Sequence, residues 1–369
     1  MGSFGKADAF NTEFKFREAL EKDLQENTSI KKDVATTLPP VSIVIPMYNA
    51  AGHIKDVLEA IFDQAYPAPV EVIVVNDGSS DGSLEIVRRF SGRGGLKIID
   101  QPNQGAVSAT NEGFKAASHD IICSVDSDVV LERDWLKKVA GEFSDPLVGA
   151  VQGYYKTPKD VSFWARMMGY DAEARYDSIR TRYVTHVCTG DTAYRKSAVE
   201  KAGLFDPRFK YGYDNDMSYR LQNAGYKLVF RKDALCDHYW KADLKGYIKQ
   251  QYRSAYGRMQ LLRKHSERIA GDSFSGLRMM LQVPLTLLFF AFLVFGTGLG
   301  LFYAAGAARF PFFSALFILG VIILDRFLFA ASVFRKQKDP ASFLLPFVHL
   351  LRNAVWSWAF LRWGLKRNE

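Results

Sequence analysis

Two closely spaced pairs of carboxylates are the residues best suited to chemistry. The first closes the stretch Ile121-Ile122-Cys123-Ser124-Val125-Asp126-Ser127-Asp128, a short apolar run with strand character that ends on two acids one residue apart. In an open α/β sheet, ligands collect at the carboxyl ends of strands. Two carboxylates held there repel each other, and a hard divalent cation shared with a phosphate relieves the repulsion. Mg2+ or Mn2+ suits oxygen donors of this kind. By itself Asp-Ser-Asp is equally an ordinary surface turn, so its meaning depends on what surrounds it. The second pair, Asp214 and Asp216, follows Tyr211-Gly212-Tyr213 and leads into Met217-Ser218-Tyr219-Arg220-Leu221. Taken alone, acids at such a place are favoured by the dipole at a helix start.

The elements that must position these acids can be read from the apolar pattern. Val41-Ser42-Ile43-Val44-Ile45-Pro46 is a strand stopped by proline, and Ile54, Val57, Leu58, Ile61 and Phe62 mark one face of a helix. Val70 to Val75 is a second strand, ending in Asn76-Asp77-Gly78-Ser79-Ser80-Asp81-Gly82. A helix over 83–90, a strand over Leu96–Ile99 and a small-residue helix over Gln104–Ala117 precede the Asp126 strand. Strands alternating with helices predict an α/β fold with a mainly parallel, helix-covered sheet. No GxGxxG follows the first strand and no GxxxxGK[ST] occurs, so dinucleotide and P-loop enzymes lose support. Polar residues instead sit at three strand ends: Tyr48 and Asn49, then Asp77, then Asp126 and Asp128.

That ordered set resembles the family 2 glycosyltransferases of the GT-A fold. Its carriers are Ile45-Pro46-Met47-Tyr48-Asn49, Val74-Val75-Asn76-Asp77-Gly78-Ser79-Ser80-Asp81, Asn103-Gln104-Gly105 with Ala109, Asn111 and Gly113, and Asp126-Ser127-Asp128. The resemblance implies a nucleotide-sugar donor, with Pro46, Tyr48 and Asp77 on its base and ribose. Asn49, Asn103, Gly105, Asp126 and Ser127 complete the implied nucleotide-sugar contacts, and Asp128 holds Mn2+ or Mg2+ on the diphosphate. It implies Asp214 as the general base of an inverting transfer, with Asp216 in support and Asp191 a further candidate for acceptor contact. Many family members carry Glu before that base where this chain has Tyr213, which leaves the choice between Asp214 and Asp216 open. The family often places a histidine near the metal, so His238 is a candidate ligand beside the ordinary reading of a structural histidine. Gln250-Gln251-Tyr252-Arg253 resembles the start of the Gln-x-x-Arg-Trp motif of processive polysaccharide synthases, which makes Gln250 and Arg253 candidate acceptor or diphosphate contacts. Position 254 is serine where that motif has tryptophan, which favours transfer of a single sugar over polymerisation.

Composition places this machinery near a membrane. The 369 residues suffice for two to three domains, or one domain with a membrane part. The net charge of +8 suits nucleic acid, an anionic membrane surface or a phosphorylated ligand. Basic clusters flank apolar spans, so nucleic acid explains the charge poorly. Cys123, Cys188 and Cys236 form no CxxC pair, against a disulfide framework or a zinc ribbon. No charged residue appears from Met279 to Ala308, longer than the ~20 residues needed to cross a bilayer. A second apolar stretch runs over 310–334, broken by Asp325-Arg326, with a tight turn expected at Arg309 and Pro311. Gly296, Gly298 and Gly300 would allow close packing against a partner helix, and self-association is compatible with this. Basic residues on both outer ends predict a hairpin with the catalytic body at the cytoplasmic face of the cell membrane.

The expected order is therefore an N-terminal arm over 1–40, with a short amphipathic helix on Phe16, Leu20 and Leu24, and no apolar signal-peptide region. A GT-A domain over 41–240 follows, divided into a nucleotide-sugar half over 41–130 and an acceptor half over 131–240 with shorter strands. A basic amphipathic region over 241–275 precedes two transmembrane helices within 276–334. The segment 335–369 carries a basic loop and an interfacial helix, its apolar run broken by Pro346, His349, Arg352 and Arg362. A tethered transferase suggests a membrane-borne acceptor, either a polyprenyl-diphosphate-linked oligosaccharide or polyprenyl phosphate. The competing classes are a non-catalytic nucleotide-binding scaffold and a nucleotidyltransferase. The latter usually carries a Gly-rich basic loop, in place of which stands Met47-Tyr48-Asn49-Ala50-Ala51-Gly52-His53.

Overall fold

The computed structural model describes residues 38–302 and 305–366. The amphipathic reading of Phe16, Leu20 and Leu24 lies outside the described residues. Strand β1 (Val41–Met47) continues into helix α1 (Ile54–Phe62), β2 (Val70–Asp77), α2 (Ser83–Arg88), β3 (Leu96–Gln101), α3 (Ala106–Ala116) and β4 (Ile121–Val125). These strands pair in parallel, with β1 between β2 and β4. Ile43, Val44, Ile45, Ile73, Val74, Ile122 and Cys123 are fully buried, as expected for strands covered on both faces. Each such aliphatic side chain contributes about 1.5–3 kcal/mol relative to exposure.

The chain leaves β1 towards β2 and β3, then returns to its other side as β4. Such a reversal opens a crevice at the carboxyl ends of the strands. Tyr48 and Asn49 therefore stand beside Asp126, with Asp77 on the neighbouring strand.

Beyond β4 the sheet becomes mixed. Strand β5 (Val129–Leu131), helix α4 (Trp135–Ala140), β6 (Val148–Lys156), α5 (Phe163–Ser178), β7 (Asp191–Arg195), α6 (Lys196–Lys201), α7 (Tyr213–Asn223) and β8 (Lys227–His238) complete an eight-stranded order β3-β2-β1-β4-β7-β6-β8-β5. The strands of the acceptor half are not uniformly shorter, although β7 has only 5 residues. At 9 and 12 residues, β6 and β8 exceed every strand of the first half. Polar and aromatic residues interrupt the apolar pattern of β6, whose Tyr155 lines a cavity.

Helix α8 (Leu244–Lys264) is followed by α9 (Leu277–Met280), α10 (Gln282–Phe302), α11 (Ala305–Gln337) and α12 (Leu345–Lys366). Leu277–Phe302 and Gly306–Gln337 are long and apolar enough to cross a membrane. The turn expected at Arg309 and Pro311 is absent, since both residues lie inside α11. Pro311 is accommodated against a glycine: a Cβ on Gly296 would lie 3.1 Å from the Cβ of Pro311. Gly300 also faces α11, whereas Gly298, half a turn away, has nothing within 4 Å. Asp325 pairs with Arg326 and with Arg278 at the start of the hairpin, so neither charge of the Asp-Arg step stands alone.

Candidate active site

A cavity of ≈ 1730 Å3 opens at the strand ends. Pro46, Tyr48, Asn49, Asp77, Asn103, Gly105, Asp126, Ser127, Asp128, Asp214, Gln250 and Arg253 all line it. Asp191, Asp216 and His238 do not; they stand behind its wall.

The first wall is stitched together by its own polar groups. Asn49 adopts φ +51, a left-handed conformation that asparagine tolerates better than most residues. Its N–H donates to Ser79 Oγ at 3.0 Å, and its Oδ1 accepts from the Ser80 N–H at 2.8 Å. Asp77 accepts from Gln101 Nε2, from the Gln104 N–H and from the Gly105 N–H at 2.7–2.9 Å. Asn49 and Asp77 thus shape the loops of this wall, and Tyr48 remains exposed.

The Asp126–Asp128 turn is fixed by its neighbours. The Asp126 N–H donates to the Gly190 carbonyl at 3.0 Å, and the Tyr239 N–H donates to the Asp128 carbonyl at 3.0 Å. A Cβ on Gly190 would lie 2.4 Å from Asp126 Oδ2 and 2.7 Å from the Tyr155 hydroxyl, so only glycine leaves room for this carboxylate. Antiparallel pairing of β5 with β8 sets His238 opposite Val129. This delivers His238 Nε2 to 3.5 Å from one Asp128 oxygen, while Lys241 Nζ lies 3.5 Å from the other. The imidazole is packed between Trp240 and Tyr155, with ring centroids 3.8 and 4.7 Å away.

Burial, and then the charge of Asp128, push the Asp126 carboxyl upward. Burial acts on Asp128 in the same direction, but His238 and Lys241 outweigh it and hold that carboxyl low. A divalent cation fits this turn: the two carboxylates are an oxygen donor set, and their unfavourable proximity is what such an ion relieves. His238 backs Asp128 instead of facing the cavity, which makes it a partner of that carboxylate.

The two acids of α7 have different surroundings. Asp216 is fully buried, with Arg220 Nε at 2.8 Å, Lys264 Nζ at 2.7 Å and His265 Nε2 at 2.9 Å. These partners lower its pKa against the opposing effect of burial. Asp216 therefore ties α7 to the end of α8 and has no access to a substrate. Asp214 is half-buried on the cavity wall, one oxygen accepting from the Asn215 N–H and the other 3.7 Å from His186 Nε2. The candidate acceptor contact Asp191 is a correction: it is wholly buried in β7 opposite Val125, below the cavity. Burial drives its carboxyl well above the usual range, and Cys236 Sγ lies 3.6 Å from it.

Sequence reading missed several wall residues. Tyr155 lies on β6, and Trp240 and Lys241 follow β8. His186 and Cys188 lie just before Gly190, their ligand atoms and those of Asp214 all within 4.8 Å of one another. The His-x-Cys step was visible, but a search for paired cysteines passes over it. Asp171, Arg175, His349 and Arg352 also reach the cavity from α5 and α12.

Residues 42–203 match the sequence model of the family described as Glycosyl transferase family 2. Glycosyltransferase AglE of Haloferax volcanii is 32% identical over 238 residues, which cover 62% of this chain and 76% of AglE. A poly-beta-1,6-N-acetyl-D-glucosamine synthase of Staphylococcus epidermidis is 27% identical over 229 residues, 60% of this chain and 55% of the synthase. The mannosyltransferase PcManGT from Pyrobaculum calidifontis, solved with GDP-Man and Mn2+, shares the fold. Its TM-score is 0.59 at 21% identity, over 96% of this chain and 97% of that one. The mixed, mainly parallel sheet is thus of GT-A type, and the chain belongs to the family 2 glycosyltransferases.

Proposed function

We propose that this glycosyltransferase moves one sugar, with inversion, from a nucleotide-diphospho-sugar to a hydroxyl of a lipid-linked acceptor at the cytoplasmic face of a membrane. The observation that carries this reading is that Asp126 and Asp128, which suit a cation on a diphosphate, share one cavity with Asp214, a carboxylate free of any lysine or arginine partner among the described residues. Asp128 and Asp126 would hold Mn2+ or Mg2+, whose role is to neutralise charge on the departing nucleoside diphosphate. The Asp77 loop, Tyr48 and Ser127 form the donor side. Asp214 accepts the proton of the attacking hydroxyl, as a carboxylate within reach of the acceptor can. Gln250 Oε1 is buried without a donor, and a sugar hydroxyl supplies one. Two apolar helices support a membrane-borne acceptor.

The test offers UDP-, GDP- and dTDP-sugars to the purified chain in detergent, with Mn2+ or Mg2+, polyprenyl phosphate and extracted lipid-linked saccharides. Transfer from one donor, lost in both Asp128→Ala and Asp214→Asn, is expected. Nucleotide binding without transfer, indifferent to Asp214→Asn, would instead make the chain a binding scaffold. A bare phosphate acceptor is already ionised and needs little general-base help. Transfer to polyprenyl phosphate that survives Asp214→Asn would therefore replace the hydroxyl reading.

A further inference from the structure

We infer that His186, Cys188 and Asp214 form a binding site for a single Zn2+ ion, and that zinc held there blocks transfer. The site stands on its own geometry. The block rests on the reading of Asp214 as the general base.

The donor atoms of these three side chains all lie within 4.8 Å of one another. Around a tetrahedral zinc ion such atoms stand about 3.3–3.7 Å apart, so closing the set takes up to about 1.5 Å of side-chain movement. Imidazole, thiolate and carboxylate are each zinc ligands, and the two negative charges balance the ion. Asp126 and Asp128 offer oxygen alone, which suits Mg2+ or Mn2+. A sulfur donor separates the two sites chemically.

His186 is the group that calls for a ligand. It is only 7% exposed, and neither ring nitrogen has a hydrogen-bond partner among the described residues. Its Nε2 lies 3.7 Å from Asp214 Oδ2, too far for a hydrogen bond. A buried polar group left without a partner costs free energy that a bound cation would recover. His186, Cys188 and Asp214 all line the cavity, which gives an ion a way in and leaves its fourth position open to water.

The fold also holds the three ligands together in advance. Val187, between the first two, is fully buried in the core while its neighbours line the cavity. Ser218 Oγ accepts from the Val187 N–H at 3.1 Å and donates to the Asp214 carbonyl at 2.7 Å. One hydroxyl thereby joins the start of α7 to the His-Val-Cys step. The Cys188 N–H donates to Gln152 Oε1 at 2.9 Å, and the Tyr176 hydroxyl lies 3.7 Å from the Cys188 sulfur. A hydroxyl placed there can donate to a metal-bound thiolate and orient it. Burial and the charge of Asp214 keep the free thiol protonated, and the ion displaces that proton to solvent. Once Asp214 binds zinc, its lone pairs are committed and it no longer takes the proton of an attacking hydroxyl.

The experiment adds Co2+, a coloured substitute for Zn2+, to the full chain in detergent, free of any histidine tag. One equivalent should bind with a thiolate-to-cobalt charge-transfer band, which Zn2+ abolishes and excess Mg2+ does not. Cys188→Ser should remove the band, and His186→Gln should weaken Co2+ binding about tenfold or more. Zn2+ should raise the melting temperature of wild type more than that of either variant. A wild-type chain without the band would overturn the site, and so would a band that survives Cys188→Ser. In a transfer assay with Mn2+ in excess, saturating Zn2+ should slow wild type about a hundredfold. Cys188→Ser, measured against its own zinc-free rate, should be slowed far less. Equal slowing would place the inhibiting ion at Asp126 and Asp128 and overturn the block. If no donor supports transfer, the reading of the reaction has failed, while the cobalt band still decides the site.

Discussion

Asp216 Oδ1 lies 2.9 Å from His265 Nε2, and the same carboxylate pairs with Arg220 and Lys264. Two residues earlier, the ion-pair partner of Asp214 among the described residues is His186, at 3.7 Å. Asp214→Asn should abolish transfer while leaving the unfolding midpoint and donor binding near wild type. Asp216→Asn should act the other way, because removing one partner of a buried ion network costs about 3–5 kcal/mol. Thermal melts set beside a transfer assay separate the two, and a stable, inactive Asp216→Asn would reverse the assignment.

Gly190 is the residue on which the Asp126 turn depends sterically. Gly190→Ala puts a methyl carbon 2.4 Å from Asp126 Oδ2, a distance real side chains do not reach. The carboxylate must move, and metal-dependent donor binding should weaken about tenfold or more. Titration of Mn2+ against nucleotide binding checks this. Unchanged Mn2+ dependence would show that Asp126 has no part in holding the ion.

Glu71 offers a pH test remote from the site. Burial works to raise its pKa, but Lys97, Ser42 and Ser118 together bring it down to about 2. Its carboxylate accepts from Ser42 Oγ at 2.6 Å and from the Ser118 N–H at 2.8 Å. A pKa lower in the folded than in the unfolded state means stability present above the unfolded value of about 4.3 and lost as pH falls towards 2. Solvent around the half-exposed Lys97 screens the pair, so the contribution at neutral pH is about 1–2 kcal/mol. Glu71→Gln should therefore be less stable than wild type at pH 7, with the difference shrinking between pH 4.5 and 2. Denaturant melts across that range measure it, and a constant difference would refute the role of ionisation.

In the helical hairpin, Asp325 neutralises Arg326, which is itself buried, and Arg278. Asp325→Ala leaves Arg326 unpaired within an apolar helix, at a cost of about 2.5–3.5 kcal/mol if that position lies in lipid. The detergent melting temperature should fall. The double change Asp325→Ala with Arg326→Ala should recover most of the loss. Equal stability of wild type and Asp325→Ala would mean that the pair contributes nothing.

The sequence by itself determined the first half of the fold and the kind of reaction. Apolar runs bounded by proline, glycine and acids leave little freedom for a strand covered on both faces, so β1 to β4 and their helices were legible to within a residue or two. Their polar ends were legible too, because a parallel sheet brings strand ends together whatever the loops do. Tertiary structure decided the rest. Whether Asp214 or Asp216 faces a substrate depends on where the end of α8 packs, and no local pattern records that Lys264 and His265 reach Asp216. Asp191 stood as a candidate acceptor contact, yet pairing with β4 buries it. Pro311 looked like a turn until Gly296 on the neighbouring helix made room for it. The arginines of α5 and α12 are separated by about half the chain, and only packing brings Arg175 and Arg352 to the same carboxylate. Short-range chemistry is written in neighbouring residues; a site assembled from distant ones depends on contacts that only the folded chain makes.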